Sequence, residues 1–146
     1  NIPYIMGSTS EDMAPPIIYG MAKDWCMLQH KQGRPESYCY YFDRQLPGDK
    51  HGAWHSSDLW YWFGTLPNCW RPMEQKDFDL SEQMVNYLCN FVKTGDPNKA
   101  AQLPTWIASG KGQGRVLCLG EKPTCMAKPN MLKMVKTMLT NKAVGE

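Results

Sequence analysis

The chain predicts an α/β fold with a mostly parallel sheet, and three observations carry that prediction. Ile2-Pro3-Tyr4-Ile5-Met6 is a short apolar run that stops at Gly7-Ser8-Thr9-Ser10, the pattern of a buried strand entering a loop. Ile18, Met21, Ala22, Trp25, Cys26 and Leu28 then recur at helical spacing. Ser37 to Phe42 is aromatic and β-prone, the pattern of a second strand. A strand, a helix and a strand in that order form the unit from which parallel sheets are built.

The first helix is expected from Ile17 to Gln32, with Pro15 and Pro16 at its entrance and Gly33 at its end. After the second strand, Pro47, Gly48 and Gly52 break the chain into a loop from Arg44 to His55. Ser57 to Phe63 reads as a short aromatic helix, and Asn68 to Lys76 as irregular. Asp79-Leu80-Ser81-Glu82 has a capping-box spacing. The helix it opens would bury Met84, Val85, Leu88, Cys89 and Val92, then stop at Gly95-Asp96-Pro97-Asn98. Residues 99–114 read as a loop anchored by Trp106, followed by short strands at Arg115–Gly120 and Thr124–Met126. Asn130 would cap a last helix with Met131, Met134, Val135, Met138 and Leu139 on one stripe. There is no repeat and no internal boundary, so residues 1–146 read as part of one domain. Two good strands are too few for a stable sheet, and the chain is expected to be the C-terminal piece of something longer.

Composition narrows the function. Of 146 residues, 42% are hydrophobic and 21% charged, which supports a packed core. A net charge of +2 is too small to point to nucleic acid or an anionic membrane. No apolar run approaches the roughly 20 residues of a membrane span, and Asn1 to Met6 lacks the basic region of a signal peptide. The six cysteines form no CxxC pair, and most sit in apolar patterns such as Tyr38-Cys39-Tyr40 and Leu117-Cys118-Leu119. They read as reduced core thiols in a cytoplasmic setting.

The three histidines are His30, His51 and His55. His30 falls in the exposed tail of a helix. His51 and His55 lie in the loop after a strand, where open α/β sheets place their chemistry. Four residues apart, they could bind a metal with Asp49 or Asp58, but Gly52-Ala53-Trp54 is a poor helix and need not align them. The other reading makes His55 a general base, with an upstream acid orienting its imidazole and a hydroxyl as nucleophile. Glu11-Asp12 follows the first strand and His55 the second, which matches the acid-then-histidine order of α/β-hydrolases. Asp12 could instead cap the helix after it. No G-x-S-x-G elbow occurs in the sequence, so the nucleophile would lie outside this chain.

Ile2 to Asp12 resembles the strand, glycine and acidic loop of the type-B carboxylesterases, the family of para-nitrobenzyl esterases and cholinesterases. Gly52 to Gly64 resembles that family's histidine segment, including an acidic residue three after the histidine and a closing Phe-Gly. Phe91 to Asn98 resembles its F-x-x-x-G-D-P-N helix end, with Pro104-Thr105-Trp106 and Arg115-Val116-Leu117 following in order. The resemblance implies the C-terminal portion of an α/β-hydrolase that cleaves carboxylic esters without metal or organic cofactor. It implies His55 as catalytic histidine and Asp12 as triad acid, with Glu11 the alternative acid. Asp58 would support the loop, and Trp54, His51 and Trp60 would wall the pocket. The implied partners are a small carboxylic ester and the N-terminal part of the same protein, with no nucleic acid and no membrane. The bare chain would be inactive, and its Met-rich last helix would favour self-association. The segment near Pro15 to Gly20 is shorter than the family's, so no particular ester is inherited. Two rivals to the esterase reading are a non-catalytic binding or adhesion relative on the same fold and a metal-dependent hydrolase using His51 and His55.

Overall fold

The computed structural model describes residues 1–99, 103–122 and 124–143. Residues 100–102 of the loop expected before Trp106 lie outside the described residues. In chain order the elements are β1 (Ile5–Thr9), α1 (Pro15–Lys31), β2 (Tyr38–Phe42), α2 (Leu59–Trp62), a 3-10 turn (Leu66–Asn68), α3 (Gln75–Thr94), β3 (Val116–Leu119), β4 (Cys125–Ala127) and α4 (Met131–Ala143). The sheet order is β1-β2-β3-β4. The first three strands are parallel, with Ile5 opposite Tyr38 and Tyr40 opposite Leu117, and β4 closes the far edge antiparallel.

Strand residues alternate between two cores, as the two-residue period requires. Tyr38, Phe42, Leu117 and Leu119 face a core built with α2, α3 and the buried Trp106. Cys39, Tyr41 and Val116 face a second core with Tyr19, Ala22 and Cys26 of α1 and Met134 of α4. A sheet covered on both sides needs apolar residues at successive positions, which is why Tyr38 to Phe42 is apolar throughout. Trp106 anchors its loop: its indole N–H donates to the Cys39 carbonyl at 3.1 Å, and Asn98 brackets its main chain on both sides. Asn130 opens α4, its side chain accepting from the Lys133 N–H at 3.1 Å.

Several expectations need correction. β1 lies three residues downstream and runs through Gly7-Ser8-Thr9. Gly7 is required because a Cβ there would sit 2.4 Å from the Tyr40 ring, which lies across the strand. α3 begins at Gln75, not near Asp79, because Glu74 and Asp77 form the capping box and the Glu74 N–H donates to Asp77 at 2.9 Å. Its buried stripe is Asp77, Leu80, Ser81, Met84 and Tyr87, while Cys89 is exposed and Val92 is 75% exposed. Tyr87 sets that stripe, stacking edge-on against Trp106 and donating to the Pro104 carbonyl. α1 buries Tyr19, Ala22, Cys26 and Gln29, leaving Met21, Trp25 and Leu28 on an open face. On α4 only Met134 of the expected stripe is fully buried. Asp12 is not the cap of α1; Ala14 holds that position, without a side-chain hydrogen bond. All six cysteines are free thiols, but only Cys26 and Cys39 are buried, and Cys89 and Cys125 are exposed. Among the described residues no helix is long and apolar enough to cross a membrane.

Candidate active site

The carboxyl ends of β1 and β2 lie side by side, so the segments leaving them meet. Ser10 N–H donates to the Phe42 carbonyl and Glu11 N–H to the Ala53 carbonyl, both at 2.9 Å. Glu11 and Trp54 form an isolated parallel bridge. This extension of the sheet brings Asp12 and His55 together across 43 residues of chain. The Nδ1 of His55 lies 2.9 Å from the Asp12 Oδ1.

The two side chains have opposite environments. The Asp12 carboxylate is almost fully buried, whereas the His55 side chain is 61% exposed. Asp12 also accepts from the Met13 N–H at 2.9 Å and from the Thr9 hydroxyl at 3.3 Å. Three donors therefore hold the carboxylate in one orientation. A carboxylate only accepts, so the Nδ1 of His55 is the donor in this bond, and in the neutral imidazole the Nε2 is the nitrogen with the free lone pair. Thr9, the last residue of β1 and not part of a loop, thus belongs to the site through its bond to Asp12.

The histidine loop is fixed from several sides. Gln45 donates to the carbonyls of Leu46 and Asp49 and accepts from the Gly52 N–H at 2.8 Å. Arg71 pairs with Asp49 at 2.6 Å and donates to the Pro47 carbonyl. Ser56, directly after His55, has φ +66°, a left-handed conformation that turns the chain sharply into α2. Arg44 is buried at the loop's start, donating to Asp77 at 2.7 and 3.2 Å and to Glu121 at 2.6 Å. The Tyr61 hydroxyl adds a 2.7 Å bond to Asp77. Burial pushes the Asp77 carboxyl up, but the bonds from Arg44, the Glu74 main chain and Tyr61 outweigh it and hold it below the ordinary carboxylate range.

The remaining expected residues separate clearly. The buried Asp58 accepts from the Tyr40 hydroxyl at 2.7 Å, three residues from His55. Glu11 does not reach His55; its carboxylate accepts from Thr137 of α4 at 3.5 Å, and burial raises its pKa against the pull of Thr137 and Lys133. A cavity of about 860 Å³ opens beside His55 and is lined by Trp54, His51, Glu11, Asp12, Asp43, Lys50, Arg71 and Lys133 among others. Trp60 does not line it. Its position in α2 turns the ring toward the α3-side core, against which it is partly buried. His30 is a surface residue, 3.4 Å from Glu36. Among the described residues no group of three His, Cys, Asp or Glu side chains could hold a metal ion. Asp49 and Asp58, the acids considered for such a site, are engaged by Arg71 and Tyr40.

Comparisons with known proteins address the family and the fold. The chain is 35% identical over 89 residues to carboxylesterase 4A of Bos taurus, covering 58% of this chain and 16% of that protein. It is 28% identical over 99 residues to human bile salt-activated lipase, covering 62% of this chain and 13% of the lipase. It is 31% identical over 83 residues to acetylcholinesterase 1 of Caenorhabditis elegans, covering 49% and 12%. The matched part thus spans 12–16% of the relatives' length. Among solved structures, an esterase from Clostridium hathewayi, described as hydrolysing aliphatic aromatic polyesters, superposes with a TM-score of 0.66 at 21% identity. That superposition covers 86% of this chain and 25% of the esterase, and it shows the shared α/β-hydrolase fold. The sequence model of the carboxylesterase family matches residues 6–142, nearly the whole chain, and the chain therefore belongs to that family.

Proposed function

We propose that this chain supplies the general base and the orienting acid of a serine-type carboxylic-ester hydrolase. The serine nucleophile and oxyanion donors would come from residues outside it. The observation that carries the reading is the 2.9 Å contact between the His55 Nδ1 and a buried Asp12 carboxylate held by two further donors. In the reaction, the Nε2 of His55 takes the proton of the serine hydroxyl as that oxygen attacks the ester carbonyl. The same proton passes to the leaving alcohol, and the acyl-enzyme is then cleaved by water activated in the same way. Asp12 fixes the imidazole tautomer and stabilises its cation without itself taking the proton. Asp58 supports the turn after His55 through Tyr40, and Trp54 and His51 wall the cavity that receives the ester.

The partners in this reading are a small carboxylic ester and the N-terminal part of the same protein. The isolated chain lacks the oxyanion donors, one of which alone is worth about 10²–10³ in rate, so it should be inactive. A cytoplasmic setting is the companion proposal, supported by the six free thiols.

The test uses the complete enzyme and a short-chain aryl ester such as p-nitrophenyl acetate. His55→Ala and Asp12→Asn should each lower kcat by on the order of 10³–10⁴-fold with the fold retained. A His55→Ala enzyme with the parent rate would refute the reading. So would an upstream sequence without a Gly-x-Ser-x-Gly elbow.

A further inference from the structure

Glu11 precedes the acid of the proposed triad, yet its side chain is used elsewhere. Its main chain ties the acid loop to the histidine loop through the 2.9 Å bond to the Ala53 carbonyl and the bridge to Trp54. Its side chain then runs along the backbone of Gly52. A Cβ at position 52 would meet the Glu11 Cγ at 2.3 Å and its Cδ at 3.2 Å. Gly52 also has φ +69°, the left-handed region that favours glycine. The chain therefore leaves a notch at Gly52, three residues before His55, and the Glu11 stem fills it. Beyond the notch, the carboxylate accepts from Thr137 at 3.5 Å, with Lys133 of the same helix α4 nearby.

We infer that Glu11 is a positioning residue for the reaction: its stem, seated in the Gly52 notch, sets the spacing between the acid and histidine loops and so the Asp12–His55 hydrogen bond. This inference rests on the proposed roles of His55 and Asp12. The stem is the working part, because Cγ makes the tightest approach, 2.3 Å from a Cβ added at position 52, against 3.2 Å for the carboxyl carbon Cδ and 3.4 Å for Oε1. The carboxylate's bond to Thr137 fastens the far end to α4. A base displaced by about 1 Å can lose ~10²-fold in rate, so a loosened notch should reduce turnover while leaving ester binding in place.

The experiment is a double-mutant cycle in the complete enzyme, read as kcat and KM for p-nitrophenyl acetate. Glu11→Ala should lower kcat about 10- to 100-fold with KM within about twofold. Glu11→Gln keeps the stem and an acceptor for Thr137, and should stay within about threefold of the parent, a rescue a charge-based role would not show. Gly52→Ala alone should be severely impaired. In the Glu11→Ala background its added cost should be at least about tenfold smaller, because the clash is gone and only the backbone preference remains. Multiplicative effects of the two changes, or a Glu11→Gln enzyme as slow as Glu11→Ala, would overturn the inference. His55→Ala is the separate control. Lost turnover there with independent Glu11 and Gly52 effects defeats only the notch, whereas retained turnover defeats the triad reading beneath it.

Discussion

Tyr40 links β1, β2 and the turn after His55 through one side chain. Its ring occupies the space that Gly7 leaves empty and packs edge-on against Trp62. Its hydroxyl donates to the buried Asp58 at 2.7 Å, and desolvation first, then the Asp58 carboxylate, drives the phenol pKa far above its ordinary value. The proton therefore stays on Tyr40, which is the donor in this bond. Tyr40→Phe keeps the ring and deletes the donor, leaving a buried carboxylate without its partner. The expected cost is about 1–3 kcal/mol in the urea unfolding of the complete enzyme, with a smaller fall in kcat than for Asp12→Asn. A Tyr40→Phe protein as stable as its parent would show that Asp58 is satisfied in some other way. The support from Asp58 was expected, but the part of Tyr40 was not visible in the sequence, where it is one aromatic in an aromatic strand.

At the scale of elements, the sequence was most legible where the signal was local. The β1-α1-β2 order, the Gly95 stop of α3, the Asn130 cap and the placing of Asp12 and His55 after successive strands all rest on neighbouring residues. What could not be read depended on residues far apart in the chain. Asp79-Leu80-Ser81-Glu82 is a good local capping pattern, yet the box used is Glu74 with Asp77, and Asp77 is held there also by Arg44 from β2's end and by Tyr61 from α2. The Thr9–Asp12 bond, the Gly52 notch and the Thr137 contact are likewise products of tertiary packing. The Arg44–Asp77 pair carries a testable pH signature. The folded-state pKa of Asp77 lies below its ordinary value of 3.8, so its contribution to stability is fully present above that value and is lost as pH falls through the folded value. Asp77→Asn should flatten that part of the acid-unfolding curve. Asp77→Ala should cost about 1–3 kcal/mol, because the buried Arg44 loses its bidentate partner and keeps only Glu121 and Glu74. An unchanged acid limb in Asp77→Asn would count against the assignment.

At the scale of the whole molecule, the apolar surface is unevenly closed. Among the described residues β1 pairs only with β2, so one edge of a parallel strand keeps its main-chain groups open. Both flanks of that edge are apolar. On one side a groove of about 330 Å³ is lined by Ile5, Met6, Leu59, Phe63, Phe91 and Val92. On the other, Ile17, Met21 and Leu28 of α1 are exposed, and Trp25 stacks edge-on against Tyr4. Among the described residues the buried stripe of α1 packs on the sheet and on α4, and nothing covers its open apolar stripe. In the proposed enzyme the rest of the sheet and its helices cover that stripe; the present chain matches 25% of the Clostridium esterase. Parallel edges of this kind template further strand pairing when left bare. The isolated chain should therefore self-associate at micromolar concentration and bind a hydrophobic dye, as light scattering and dye fluorescence would record. Phe63→Lys with Val92→Lys should reduce that association in the isolated chain, because both sit on the groove and neither lies in the triad. The same pair should impair assembly of the complete enzyme, where the groove must be covered. An isolated chain that stays monomeric and dye-silent would mean the edge is closed by this chain's own residues.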